Sequence, residues 1–250
     1  MTDIRLGLPH GQDAAIAAMW PGGQRRLSRR PVRTSSLLVL PSRSRVRLLV
    51  PADVPGAEAM LERHASSAVR SSTYRLLAWG LRHGVLARLP FSRLVLAGDA
   101  ASGLEALARE TVPAAAAVGV AVGPPRPNSK PVLRVFDDQG RTVAFGKVGY
   151  SPLTRALVRR ESETLTHLAR LDLGRVRVPP VLFTGEWNGL DILLLGALPG
   201  ARSRAMWELP VDATRDVWEC EPATTSPVSG SACAAEITEA LDALPSGELA

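Results

Sequence analysis

Apolar positions along the 250-residue chain recur at helical and strand periods, and the balance between the two shifts near residue 115. Before that point, two aliphatic runs at 36–40 and 46–50 flank Pro41-Ser42-Arg43-Ser44-Arg45. Runs of this kind around a Pro/Ser turn predict a hairpin or two adjacent strands. Residues 54–68 and 71–89 carry helical spacing. In the second, Leu76, Leu77, Trp79, Leu81, Val85, Leu86 and Leu89 leave Arg75, Arg82 and Arg88 to one side, and Pro90 stops the run. A helix of this composition can lie on a membrane with its arginines at headgroup level; packing against the 36–50 strands is the expected arrangement. Residues 92–97 read as a strand and 103–109 as a short helix. The arginine-rich opening at 24–31 has no apolar period and reads as loop.

Beyond residue 115 strands and tight turns dominate. An apolar run at 117–122 is followed by Gly123-Pro124-Pro125-Arg126-Pro127-Asn128, a loop. Strands at 131–136 and 142–148 enclose Asp137-Asp138-Gln139-Gly140, the best hairpin signal in the chain. Leu153, Leu157, Leu165, Leu168 and Leu171 predict a helix over 153–171 with these leucines on one face, and Gly174 is its stop. Val178-Pro179-Pro180 leads into a strand at 181–185, a Trp187-Asn188-Gly189 turn and a last strand at 190–195. The order is strand, strand, strand, helix, strand, strand. Past Gly200 the pattern weakens. Residues 235–244 could form one short acidic helix, and 206–250 reads as a poorly ordered tail with too little apolar content to fold alone.

Composition refines this picture. Aromatics are only 4% of residues, so the core must be built mainly from Leu, Val and Ala. The net charge of +6 conceals +8 over residues 1–110, +6 over 111–205 and −8 over 206–250, so the sign reverses near residue 206. Lysine occurs twice, at Lys130 and Lys147, against 28 arginines. That bias fits a GC-rich, bacterial coding sequence and draws attention to a lysine within a strand. Cys220 and Cys233 make neither a disulfide scaffold nor a zinc site and read as reduced thiols. No apolar run reaches the roughly 18 to 20 residues that span a bilayer. The first 30 residues hold no continuous apolar stretch for a secretory signal, so a cytoplasmic protein with no transmembrane segment is expected.

Eight arginines between residues 25 and 47 form a basic segment, most simply a solvated face. No helix-turn-helix or zinc-finger pattern accompanies them and no aromatics interleave them as stacking platforms, which argues against nucleic acid. A non-catalytic interaction protein, using this region to bind an acidic partner or nucleic acid, is the alternative to the reading that follows.

Chemistry concentrates between residues 115 and 200. The hairpin Val132-Leu133-Arg134-Val135-Phe136 … Val143-Ala144-Phe145-Gly146-Lys147-Val148 ends with a strand-borne lysine. Fourteen residues later, Arg159-Arg160-Glu161-Ser162-Glu163-Thr164-Leu165 opens a Glu-x-x-x-Leu-x-x-Leu pattern. Val178-Pro179-Pro180-Val181-Leu182 and Leu193-Leu194-Leu195-Gly196-Ala197-Leu198-Pro199-Gly200 follow. In this order the four segments resemble the N-terminal, ATP-binding lobe of the aminoglycoside and choline phosphotransferases, a protein-kinase-like family. The resemblance implies an α+β fold: a five-stranded antiparallel sheet with one packed helix over 113–205, preceded by a smaller basic α/β region over 1–112 and followed by the 206–250 tail. It also implies that Lys147 holds the α- and β-phosphates of ATP and that Glu161 pairs with Lys147 to fix its direction. The hinge backbone at Leu195, Gly196 and Ala197 would hydrogen-bond the adenine. Glu163 lies about 200° further round the helix and points elsewhere.

The chain departs from the family in two places. Its loop over the phosphates, 123–130, carries three prolines and one glycine. None of His10, His64, His83 or His167 is followed two residues later by Asp, and Asp-Phe-Gly does not occur, so the family's catalytic base and magnesium ligands are missing. The expectation is a truncated phosphotransferase that keeps the ATP-binding lobe, lacks the catalytic lobe and is inactive alone. Magnesium would enter only with that missing lobe, which would also hold the small-molecule acceptor. The resemblance implies no oligomeric state.

Overall fold

The computed structural model describes residues 6, 8, 11–21, 24–30, 36–42, 45–62, 68–97, 103–123, 126, 128–199, 211–220, 227 and 230–242. The chain forms two compact units, residues 1–170 with 178–205, and residues 171–177 with 206–250. The first unit contains, in chain order, α1 (Gln12–Ala18), β1 (Gln24–Ser28), β2 (Ser36–Ser42), β3 (Arg45–Pro51), α2 (Ala59–Glu62), α3 (Ala68–Arg82), β4 (Arg93–Ala97) and α4 (Leu104–Thr111). It continues through β5 (Ala117–Ala121), β6 (Val132–Phe136), β7 (Thr142–Gly149), α5 (Pro152–Leu168), β8 (Val181–Trp187) and β9 (Leu190–Gly196). The second unit holds α6 (Val211–Glu219) and α7 (Ala232–Asp242).

The fold is α+β, and the nine strands among the described residues form one antiparallel sheet in the order β1-β4-β2-β3-β5-β6-β7-β9-β8. The five strands expected over 113–205 are therefore the second half of a larger sheet. Their inner neighbour is β3, joined through Leu48↔Ala121 and Leu49↔Val120, so the expected boundary at 112/113 does not divide the sheet. The expected loop at 24–31 contains β1, which pairs with β4 from Gln24↔Ala97 to Ser28↔Arg93. Polar, arginine-rich sequence is compatible with a strand at a sheet edge, where charge blocks further pairing.

Alternation along the strands sends side chains to both faces, and both are covered. One face carries a core of Leu37, Val39, Leu94, Val118, Val120, Leu133, Val135, Ala144, Val148, Ile192 and Leu194, closed by Ile16 of α1, Trp20, and Leu104 and Leu107 of α4. On the other face, Leu38, Leu40, Leu48, Val50 and Phe136 pack with Met60 and Leu61 of α2 and Ala78 and Leu81 of α3. Further along that face Leu193 and Leu195 pack with Val158 of α5. Burial on both faces explains why 36–40 reads as an unbroken aliphatic run.

The helices depart from expectation at their ends. Of the run expected over 54–68, helix is present at Ala59–Glu62, and 63–67 lies outside the described residues. The second helix ends at Arg82, seven residues before Leu89, because Gly84 takes φ +66 and turns follow. Arg93, almost wholly buried on β4, caps that turn: Nη2 donates to the carbonyls of Leu86, Ala87 and Leu89 at 2.9, 2.8 and 3.0 Å. Within the stretch expected to be a poorly ordered tail, α6 and α7 are helical.

Candidate functional site

Asp137-Asp138-Gln139-Gly140 makes the expected hairpin between β6 and β7. Asp137 accepts from the backbone N–H groups of Gln139 and Arg141 at 3.0 and 2.7 Å and from Arg141 Nε at 2.7 Å, and Gly140 turns the chain at φ +76. The register this sets places Lys147 opposite Val132 of β6 and Leu193 of β9. Lys147 shares its face with Phe145, two residues back, and with Leu193 and Leu195. That is the face α5 covers.

α5 starts where β7 ends. Ser151 caps it through a capping box with Thr154, and Pro152 occupies the first turn, where a missing N–H costs nothing. Gly149 brings the strand end close, since a Cβ there would stand 2.7 Å from Arg155 Cα. Two arginines one turn apart then tie α5 to the β8–β9 hairpin. Arg159 Nε lies 2.6 Å and Arg155 Nη1 3.9 Å from the buried carboxylate of Asp191, while Arg155 also reaches Glu186 at 3.5 Å and donates to Gly189 O. The hydrogen bond to Asp191 shifts Arg159 further into the protonated range.

With α5 held there, Val158, Glu161 and Leu165 recur at i, i+3 and i+7 on its sheet-facing side. Glu161 Oε1 accepts a hydrogen bond from Lys147 Nζ, and the two form an ion pair. Their side chains keep 34% and 28% of their accessibility, which leaves the pair open to solvent and to ligand. A pair this exposed contributes only about 0–1 kcal/mol to folding. Its consequence is directional: it holds a cation at one place on the sheet.

Leu195 is buried with Val158 and Leu193. The backbone N–H groups at the other two hinge positions are occupied: Gly196 donates to Pro180 O at 2.8 Å and Ala197 to Val143 O at 3.0 Å. The loop expected over the phosphates is partly described. Gly123 takes φ +76, Arg47 Nη1 donates to its carbonyl, and Ser129 Oγ donates to Val122 O at 3.4 Å; residues 124, 125 and 127 lie outside the described residues. Glu163 does point elsewhere, lining an open groove of about 440 Å³ with Arg159, Ser162, Thr166, His167 and Thr184.

Sequence reasoning missed Asp191, Arg155 and Arg159; two arginines at i and i+4 on a helix were the available signal. It also missed Arg134. That guanidinium stands 5.4 and 5.6 Å from the ring centroids of Phe136 and Phe145, and Nη1 donates to Ala59 O at 2.8 Å. Arg134 thereby pins α2 over the β5–β6 part of the face that bears Lys147. Between α2 and α5 the floor is Val132, Phe145 and Lys147, exposed or half-buried.

Lys147 suits a phosphate oxygen, being a cation aimed by a carboxylate. The donor set does not suit magnesium: Glu161 is committed to Lys147, and among the described residues no three His, Cys, Asp or Glu side chains form a group that could hold a metal ion. Comparison with protein-family models, with curated proteins and with solved structures returned no match to this chain.

Proposed function

We propose that the β6–β7–β9 face beside α5 binds ATP, and that the chain is the nucleotide-binding lobe of a small-molecule phosphotransferase related to the aminoglycoside and choline kinases. Lys147 contacts the α- and β-phosphates, and Glu161 holds Lys147 in that direction. Val132 and Phe145 offer the adenosine an apolar floor. With the N–H groups of Gly196 and Ala197 engaged in strand pairing, adenine recognition falls to hinge carbonyls and to Leu198. The observation that carries this reading is the Lys147–Glu161 pair. It joins a third strand to the helix between the third and fourth, in a run ordered β5-β6-β7-β9-β8.

Phosphoryl transfer rests on positioning and charge neutralisation around the γ-phosphate, with a base to orient the acceptor. Lys147 supplies charge at the phosphates. The family's base and magnesium motifs do not occur in the sequence, so the activity proposed for this chain is nucleotide binding.

Titration of the full chain with a fluorescent ATP analogue tests the proposal, with adenosine as competitor. Saturable binding is expected. Lys147→Ala should weaken ATP at least tenfold, equivalent to about 1.4 kcal/mol, while changing adenosine little. Glu161→Gln should fall between wild type and Lys147→Ala. Wild-type protein that does not bind, or Lys147→Ala with unchanged affinity and circular dichroism, rejects the assignment.

A further inference from the structure

α3 packs on the 36–50 strands as expected, but two of the apolar residues its spacing placed on the packed side face outward. Ala78 and Leu81 are buried against the sheet, and Tyr74 and Leu77 pack beside them. Leu76 and Trp79, however, keep 69% and 56% of their accessibility. Ser72, Leu76, Trp79 and His83 recur at i, i+4, i+7 and i+11, one line along the exposed side of the helix. Trp79 and His83 lie ring to ring, centroids 4.9 Å apart. Arg75 and Arg82 border this line, and Arg88 and Leu89, in the turns that follow the helix, are exposed as well.

The charge of the segment is one-sided. Between Glu62 and Asp99 the sequence holds no Asp or Glu, and Arg75, Arg82 and Arg88 are exposed there. Arg82 shares Glu58 at 3.0 Å. We infer that the Leu76–Trp79–Leu89 surface docks on an anionic membrane, with Trp79 at the water–acyl boundary and Arg75, Arg82 and Arg88 among the headgroups. An exposed indole beside leucines suits that boundary, where the ring is apolar and its N–H remains wet. Arginines at the same level attract acidic lipid. A second copy of this chain fits less well, since two faces that each bear Arg75 and Arg88, with Glu58 already taken by Arg82, repel one another. α3 covers the same sheet face as α5, but the exposed line lies on the side of the helix away from the sheet and includes neither Lys147 nor Glu161.

Co-sedimentation of the full chain with vesicles tests this, comparing phosphatidylcholine alone with phosphatidylcholine mixed with phosphatidylglycerol, at low and high salt. Binding is expected only with phosphatidylglycerol and should fall with salt. The exposed pair Leu76→Ser/Trp79→Ser should lower it at least tenfold with unchanged thermal midpoint, and Arg75→Gln/Arg88→Gln should do the same. Absence of wild-type binding to the anionic vesicles overturns the inference. So does binding that the serine pair leaves intact, which places the lipid contact elsewhere, and so does a solution dimer that the serine pair dissolves, which gives the face to a second copy.

Discussion

Arg159, whose side chain lies mostly in solvent, closes on Asp191, whose carboxylate is almost wholly buried: Nε stands 2.6 Å from Oδ2 and Nη2 donates to Oδ1 at 3.2 Å. The Nε contact is an off-axis charge contact; the hydrogen bond is the one to Oδ1. The unequal burial makes the two partners unequal in mutation. Arg159→Ala leaves a buried carboxylate whose nearest remaining cation is Arg155 at 3.9 Å, and should cost about 2 kcal/mol. Asp191→Asn leaves a solvated guanidinium and should cost about 1 kcal/mol or less. Urea unfolding of both variants measures the difference, and equal losses would show that burial does not set the cost.

Two glycines with left-handed backbone separate steric contact from conformational strain. A Cβ on Gly140 would lie 1.8 Å from Pro55 O, because the β6–β7 turn packs on the loop before α2; a Cβ on Gly84 meets nothing within 4 Å. Gly84→Ala should therefore cost only the roughly 1–2 kcal/mol of its positive φ. Gly140→Ala must also push the 55–56 backbone away, and its unfolding midpoint should drop well below that of Gly84→Ala.

Two carboxylates should give opposite pH dependences. Burial pushes Glu105 above its ordinary value, against the hydrogen bond it accepts from Trp20 Nε1 at 2.8 Å and the attraction of Arg109. The folded state then binds its proton more tightly than the unfolded chain, so this group's contribution declines as pH rises from the ordinary value through the raised one. Glu105→Gln should remove that decline, measured as thermal midpoint against pH.

At Asp137 burial pushes upward, but the side-chain and backbone hydrogen bonds from Arg141, its charge, and the N–H of Gln139 together hold the carboxyl below its ordinary value. Stability from Asp137 is present above the ordinary value and is lost as pH falls through the lowered one. Asp137→Asn should lower stability at neutral pH and flatten this acid limb, in the same series of thermal scans.

What could be read from the sequence was what neighbours in the chain decide. The β6–β7 hairpin follows from turn formers between alternating runs, whereas the meeting of Lys147 with Glu161 was an expectation of the resemblance alone, not of the local pattern. The sheet-facing side of α5 was misread. Leucines at 153, 157, 165, 168 and 171 were expected on one face, yet Thr154, Val158 and Ser162 are the buried residues of α5, Leu165 packs beside them and Leu153 is exposed. Gly149 lets the start of the helix approach closely, and small side chains fit such a gap better than leucines. The pairing of β3 with β5, the strand at 24–28 and the burial of Arg93 depend on contacts between segments far apart in the chain, for which local periodicity carries no signal.

The joint between β3 and β5 bears on how this protein can be dissected. A fragment cut at residue 112 to isolate the lysine-bearing strands would turn an interior strand into a bare border. β5 is Ala-Val-Gly-Val-Ala, without a charge or a proline to discourage recruitment of another chain. Such a fragment should form soluble aggregates or fibrils even if each of its remaining contacts is native, whereas the full chain covers that border with β3.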